Sequence, residues 1–118
     1  MMASMTAQDA EAEVVAMVAR LLEALQRNDA PAYHALLTDD DQEILDLAAI
    51  EQNMAAMRTD MGRLVSFKVE GVVLYLGVNA ASANVTLDFE NAGTKSELYS
   101  LERDESGWRL DLGLAHHE

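Results

Sequence analysis

The chain has 118 residues, half of them hydrophobic and a quarter charged, with no cysteine and a formal net charge of −13. That length fits one domain with a core of its own, and the missing cysteines exclude a disulfide framework, a thiolate metal site and a thiol nucleophile. Eight Lys and Arg against 21 Asp and Glu make a field that repels phosphate backbones and anionic lipid, so neither a nucleic acid nor a membrane is an expected partner.

The opening "MMASMTAQDAEAE" has no basic stretch followed by an apolar one, and the longest apolar run, "VVLYLGV", is too short to span a bilayer. A soluble, cytoplasmic protein is expected. One domain is expected over residues 1–118, with flexible ends at 1–9 and 115–118.

Val14, Val18, Leu21 and Leu25, flanked by Met17 and Leu22, follow the three-and-four spacing of an amphipathic helix. Thr6 with Asp9 resembles a capping pair at its start. "RND" ends it. Pro31 opens a short second helix, "PAYHALL", because a first turn does not need the N–H that proline lacks. "TDDD" then offers a hydroxyl and carboxylates to the start of a third helical region over about 40–61. There Ile44 and Leu47 share one stripe, and Ile50, Met54, Met57 and Met61 a shifted one. The shift predicts a kink or break between Leu47 and Ile50. Gly62 is expected to stop the helix.

Beyond Gly62 the period changes to two. In "VSFKVEGVVLYL" the residues Phe67, Val69, Val73 and Tyr75 are expected on one face. The apolar phase changes around Gly71, which predicts a bulge or bend in a long strand. "VNAAS" is a turn, and "ANVTLDFE" a strand with Val85, Leu87 and Phe89 inward. "NAG" is a hairpin loop whose glycine can take positive φ. "TKSELYSLER", the tight turn "DESG" and "WRLDLGL" complete the chain. The turn sets a register: Arg103 opposite Trp108, Leu101 opposite Leu110, Tyr99 opposite Leu112, Glu97 opposite Leu114. A slip of one residue would exchange this apolar face for Ser96, Leu98 and Ser100. One sheet surface then carries Val85, Leu87, Phe89, Tyr99, Leu101, Trp108, Leu110 and Leu112, and the striped helices must cover it.

With "RNDAPAYHALLTDDD" between its helices and "DESGWRLDLGL" closing a bent sheet, the chain from about Ala10 to Leu114 resembles the nuclear transport factor 2-like superfamily. That is the α+β cone of SnoaL-type polyketide cyclases and ketosteroid isomerases, also called cystatin-like. The resemblance implies three N-terminal helices packed on a curved antiparallel sheet of four or slightly more strands. It implies a pocket at the wide end of the cone and a homodimer through the sheet. It implies no single activity, since one scaffold hosts many.

Tyr33, Met54, Met57, Met61, Tyr75, Leu87, Tyr99, Leu101, Trp108 and Leu110 are expected to line an apolar pocket. A methionine stripe suits a pocket that adapts to its ligand, and equally suits an ordinary core. Glu97 shares a face with Tyr99, Leu101 and Trp108. A carboxylate among apolar neighbours can serve as a general acid or base; the plain alternative is a solvated group at the strand's open end. Tyr33 and His34 can supply a hydrogen bond and a proton, or pack a ring and sit at the surface. Isomerases of the resembled superfamily combine a base carboxylate with a tyrosine and a second acid. Alternation turns Asp88 and Asp111 outward, so that set has no place here. "DDD" lacks the spacing of a calcium loop and is explained by capping. "HHE" reads as a frayed tail. No metal and no cofactor are expected.

The expected function is a small-molecule-binding or accessory protein with an apolar pocket and no assignable catalysis. One alternative is a cyclase, isomerase or dehydratase using Glu97 as acid or base, with Tyr33, Tyr75 or Tyr99 polarising a carbonyl. Another is a protein-interaction module using the outer sheet face, whose acidity predicts a basic partner and salt-sensitive binding.

Overall fold

A computed structural model describes residues 6–75 and 79–112. Four helices, α1 (Ala7–Gln26), α2 (Ala30–Ala35), α3 (Asp39–Ile44) and α4 (Leu47–Met61), precede four strands, β1 (Leu64–Tyr75), β2 (Ala80–Phe89), β3 (Gly93–Asp104) and β4 (Gly107–Leu110). The fold is α+β, with the helices against a curved antiparallel sheet in the order β1-β2-β3-β4.

The Thr6 hydroxyl accepts from the Asp9 N–H at 3.0 Å and starts α1, which buries Ala10, Val14, Met17, Val18, Leu21 and Leu22. The helix begins at Ala7, so it takes in three residues of the segment expected to be a flexible end. Asp29 caps α2 through the Ala32 N–H at 3.2 Å, with Pro31 in the first turn.

The third helical region is two helices, which corrects the expected count of three to four. The break falls at Leu45 and Asp46, ahead of the expected interval. Asp46 turns extended and its carboxylate accepts from the Ala49 N–H at 2.9 Å. An aspartate gains more by capping than by sitting inside a helix, where its side chain competes for the backbone. Thr38, not an aspartate, caps α3, and Asp39, Asp40 and Asp41 occupy its first turn.

Gly62 ends α4 at φ 82. A Cβ there would lie 2.9 Å from the Asn91 nitrogen and the Glu90 Cβ. The β2–β3 loop closes over this end, with the Asn91 and Ala92 N–H groups donating to the Met61 carbonyl.

In the sheet, Leu101 faces Leu110 and Arg103 faces Trp108, the register the turn predicts. β4 stops at Leu110. Leu112 therefore does not pair with Tyr99; its N–H donates to Asp41 Oδ2 at 2.6 Å instead. Leu114, the expected partner of Glu97, lies outside the described residues, as do Leu76, Gly77, Val78 and the "HHE" tail.

The β1–β2 register shifts between Val69 and Gly71, where a bulge was expected. Its consequence corrects one placement. The extra residue reverses the facing of everything after it. Val72 and Leu74 pair with Ala83 and Ala81 and turn inward, whereas Val73 and Tyr75 turn outward and are 55% and 49% exposed.

The core joins the α1 stripe, Leu37, Ile50 and Met54 to Ala81, Ala83, Val85, Leu87, Phe89, Leu101, Trp108 and Leu110. Each large side chain so buried contributes about 1.5–3 kcal/mol. A parallel bridge between Leu37 and Leu110 ties the segment after α2 to β4. Among the described residues no helix is long and apolar enough to cross a membrane.

Candidate functional site

Ile50, Met54, Met57 and Met61 recur at four, three and four residues, so they share one face of α4. Alternation along β3 sets Lys95, Glu97, Tyr99 and Leu101 against the inward residues Leu87, Val85, Ala83 and Ala81 of β2. Two adjoining cavities of about 240 Å³ each lie between these surfaces, with Leu25, Tyr33 and Met57 common to both. Leu45, Ile50, Asn53, Met54 and Leu112 complete the first. Met61, Leu87, Phe89, Lys95, Ser96, Glu97 and Tyr99 complete the second.

The two phenols of this chamber come from different elements, Tyr33 from α2 and Tyr99 from β3. Burial raises the pKa of both above the ordinary 10.0. Tyr99 is raised first by burial and then by the nearby Tyr33 and Glu97. Among the described residues neither hydroxyl has a hydrogen-bond partner. Both are therefore neutral donors, open to an acceptor on a ligand.

Glu97 faces inward as the register expects, but its side chain is exposed towards the open end of β3. It is the one carboxylate among the described residues that line either cavity. Asp88 points to the outer face, and Asp111 lies beyond β4 in a separate acidic hollow with Asp39, Asp40, Asp41, Glu102 and Asp104. The second inward acid that an isomerase set requires is thus missing among the described residues. No cluster among them could hold a metal ion. His34 is tied down, its Nε2 lying 2.9 Å from the Leu45 carbonyl oxygen. It pins α2 to the junction between α3 and α4.

Six of the ten expected lining residues meet at the chamber: Tyr33, Met54, Met57, Met61, Leu87 and Tyr99. Leu101 and Leu110 instead belong to the solid core, packed with the fully buried Met17, Leu21 and Leu22 of α1, and Trp108, buried with them, lines a separate cleft beside α1 and not the chamber. Tyr75 sits on the opposite face of the sheet, with its hydroxyl 3.2 Å from Ser82 Oγ. Lys95, Asn53, Leu25 and Leu45 line the chamber without having been anticipated. Of these, Lys95 had a legible signal, since it lies two residues before Glu97 on one strand.

No family model matches the sequence, and no curated protein matches it significantly. Solved structures do match in fold. A protein of unknown function with a cystatin-like fold from Nostoc punctiforme is 17% identical, with 92% of this chain and 90% of that chain covered at a TM-score of 0.66. A candidate dehydratase of the NTF2-like family from Streptomyces avermitilis is 14% identical, over 89% of this chain and 93% of that one, at 0.60. A ketosteroid isomerase-like protein from Erwinia carotovora is 16% identical, over 86% and 91%, at 0.57.

Proposed function

We propose, from the premise of a nuclear transport factor 2-like cone, that this protein binds a small, largely apolar molecule carrying a hydrogen-bond acceptor. The observation that carries this reading is the pair of phenols, Tyr33 and Tyr99, which have no hydrogen-bond partner among the described residues and are set in a chamber walled by Met54, Met57 and Met61. Apolar walls with a few convergent polar groups are what a small-ligand site needs. Methionine lets the walls adapt to the ligand's shape. The absence of cysteine fits a reducing, cytoplasmic compartment.

A polarity-sensitive naphthyl ketone tests the site, because its carbonyl can accept from a phenol. Binding should enhance and blue-shift its emission. Tyr99→Phe should weaken binding by about 1 kcal/mol, the worth of one neutral hydrogen bond. No binding by the wild-type protein, or equal binding by Tyr33→Phe, Tyr99→Phe and wild type, would overturn the reading.

A second reading, an enzyme of the cyclase, isomerase or dehydratase kind, is supported by one observation: Glu97 lies close enough to Tyr99 to oppose its ionisation. A base beside a phenol donor is a workable pair for moving a proton next to a carbonyl. Glu97→Gln should abolish turnover of any substrate found while leaving dye binding intact. An unchanged rate sinks this reading and leaves the first.

We take the protein to act as a homodimer through the outer face of the sheet. Val73, Tyr75 and Leu98 support this, as large apolar side chains exposed together on that face. Native mass spectrometry of the purified protein reads oligomer mass and retained ligand together. A monomer that a basic partner converts to a heterodimer would favour an interaction module instead.

A further inference from the structure

Trp108 is 5% exposed, and its indole Nε1 is buried with no hydrogen-bond partner among the described residues. An indole N–H can only donate, and a buried donor left unmatched is costly enough to demand an explanation. Trp108 also lines a cleft of about 390 Å³ between α1 and the β3–β4 hairpin. This cleft lies apart from the methionine-walled chamber and shares no lining residue with it.

Two arginines line the cleft, and they differ. Arg109 is committed: it donates to the Ala35 and Leu37 carbonyls at 3.0 and 3.2 Å and lies 4.0 Å from Asp104. Arg20 has no partner among the described residues, in a chain with 21 acidic side chains. Glu13 stands seven residues earlier on the same helix, two turns or about 10 Å away. Ala16 and Leu36 supply apolar wall between them.

We propose that this cleft is a second binding site, for a small organic carboxylate with a short apolar chain. One carboxylate oxygen accepts from the Arg20 guanidinium and the other from the Trp108 indole, so that one group answers two unmatched donors. The chain runs along Leu36 towards Glu13. Glu13 then selects at the far end: it accepts a methyl or an ammonium group there and rejects a second carboxylate.

Trp108 is the chain's one tryptophan, so a ¹H–¹⁵N spectrum contains a single indole resonance that reports on the site. Hexanoate, 6-aminohexanoate and adipate share a six-carbon skeleton and differ in charge at the far end. Hexanoate and 6-aminohexanoate should move the indole resonance saturably, and adipate several-fold more weakly. Arg20→Gln should cost roughly tenfold in affinity, the scale of one charge-assisted hydrogen bond. Glu13→Gln should restore adipate. Tyr99→Phe should change none of this, so failure here is distinct from failure of the chamber. An indole resonance unmoved at tens of millimolar probe overturns the proposal, with the donor then assigned to a buried water if it shows a water cross-peak. Equal shifts in wild type and in a folded Arg20→Gln variant also overturn it, as do equal affinities for the three probes.

Discussion

Tyr33 on α2 and Tyr99 on β3 line one cavity, and the Tyr33 phenol adds to the burial that keeps Tyr99 protonated. A short helix and a strand far apart in sequence thus bring two donors to one ligand-sized space. The arrangement also makes the fold sensitive to alkali.

In the unfolded chain both phenols ionise near 10.0, whereas the folded protein holds them above that value. Below that pH both states are protonated and nothing changes. As pH rises further, the unfolded state releases protons first, and stability is lost through the range up to the raised folded values. Alkaline unfolding followed by circular dichroism should coincide with phenolate absorbance at 295 nm. Tyr99→Phe should move the midpoint to higher pH; an unmoved midpoint would show that Tyr99 is not held protonated by the fold.

Trp108 packs in the core beneath α1. Trp108→Ala should cost about 3–5 kcal/mol, the range for removing a buried aromatic side chain. Urea denaturation measures it. A loss below about 1 kcal/mol would contradict the burial, since only surface substitutions cost so little.

Gly62 combines φ 82 with a close approach to Asn91 and Glu90. Gly62→Ala should destabilise by about 1–3 kcal/mol from backbone strain alone, and by more where the β2–β3 loop cannot give way. Gly71, where an added Cβ would meet nothing within 4 Å, is the internal control. Gly71→Ala should be close to neutral in the same thermal melts.

Leu98 is 66% exposed on the outer face of β3. If two sheets pair there, Leu98→Asp should convert a dimer to a monomer by sedimentation, adding a charge to a face that must dehydrate. Dye binding in the chamber should survive, because Leu98 and Tyr99 point to opposite sides of the strand. A dimer that persists in Leu98→Asp would place the contact elsewhere.

Much of the architecture was legible in the sequence because it is local. The α1 stripe, the stop at Gly62, the bulge at Gly71 and the β3–β4 register depend on periodicity, one glycine or one tight turn. Each acts within a few residues, where the chain has few alternatives. The break before α4 was half legible: the stripe shift showed that a break existed, and Asp46 as a cap would have located it.

The site was decided by contacts between distant segments. Whether Tyr75 points in or out depends on how the bulge counts against β2, which no strand states by itself. Whether Leu101 and Leu110 line a pocket or fill a core depends on the volume that Met17, Leu21 and Leu22 bring from α1. Alternation along a strand determines a side chain's face, and this placed Glu97 and Tyr99 correctly. It says nothing about what stands opposite. The sequence by itself therefore determined the elements and their faces. Only the tertiary structure decided which faces close into solid core and which leave room, because packing is a property of two surfaces at once.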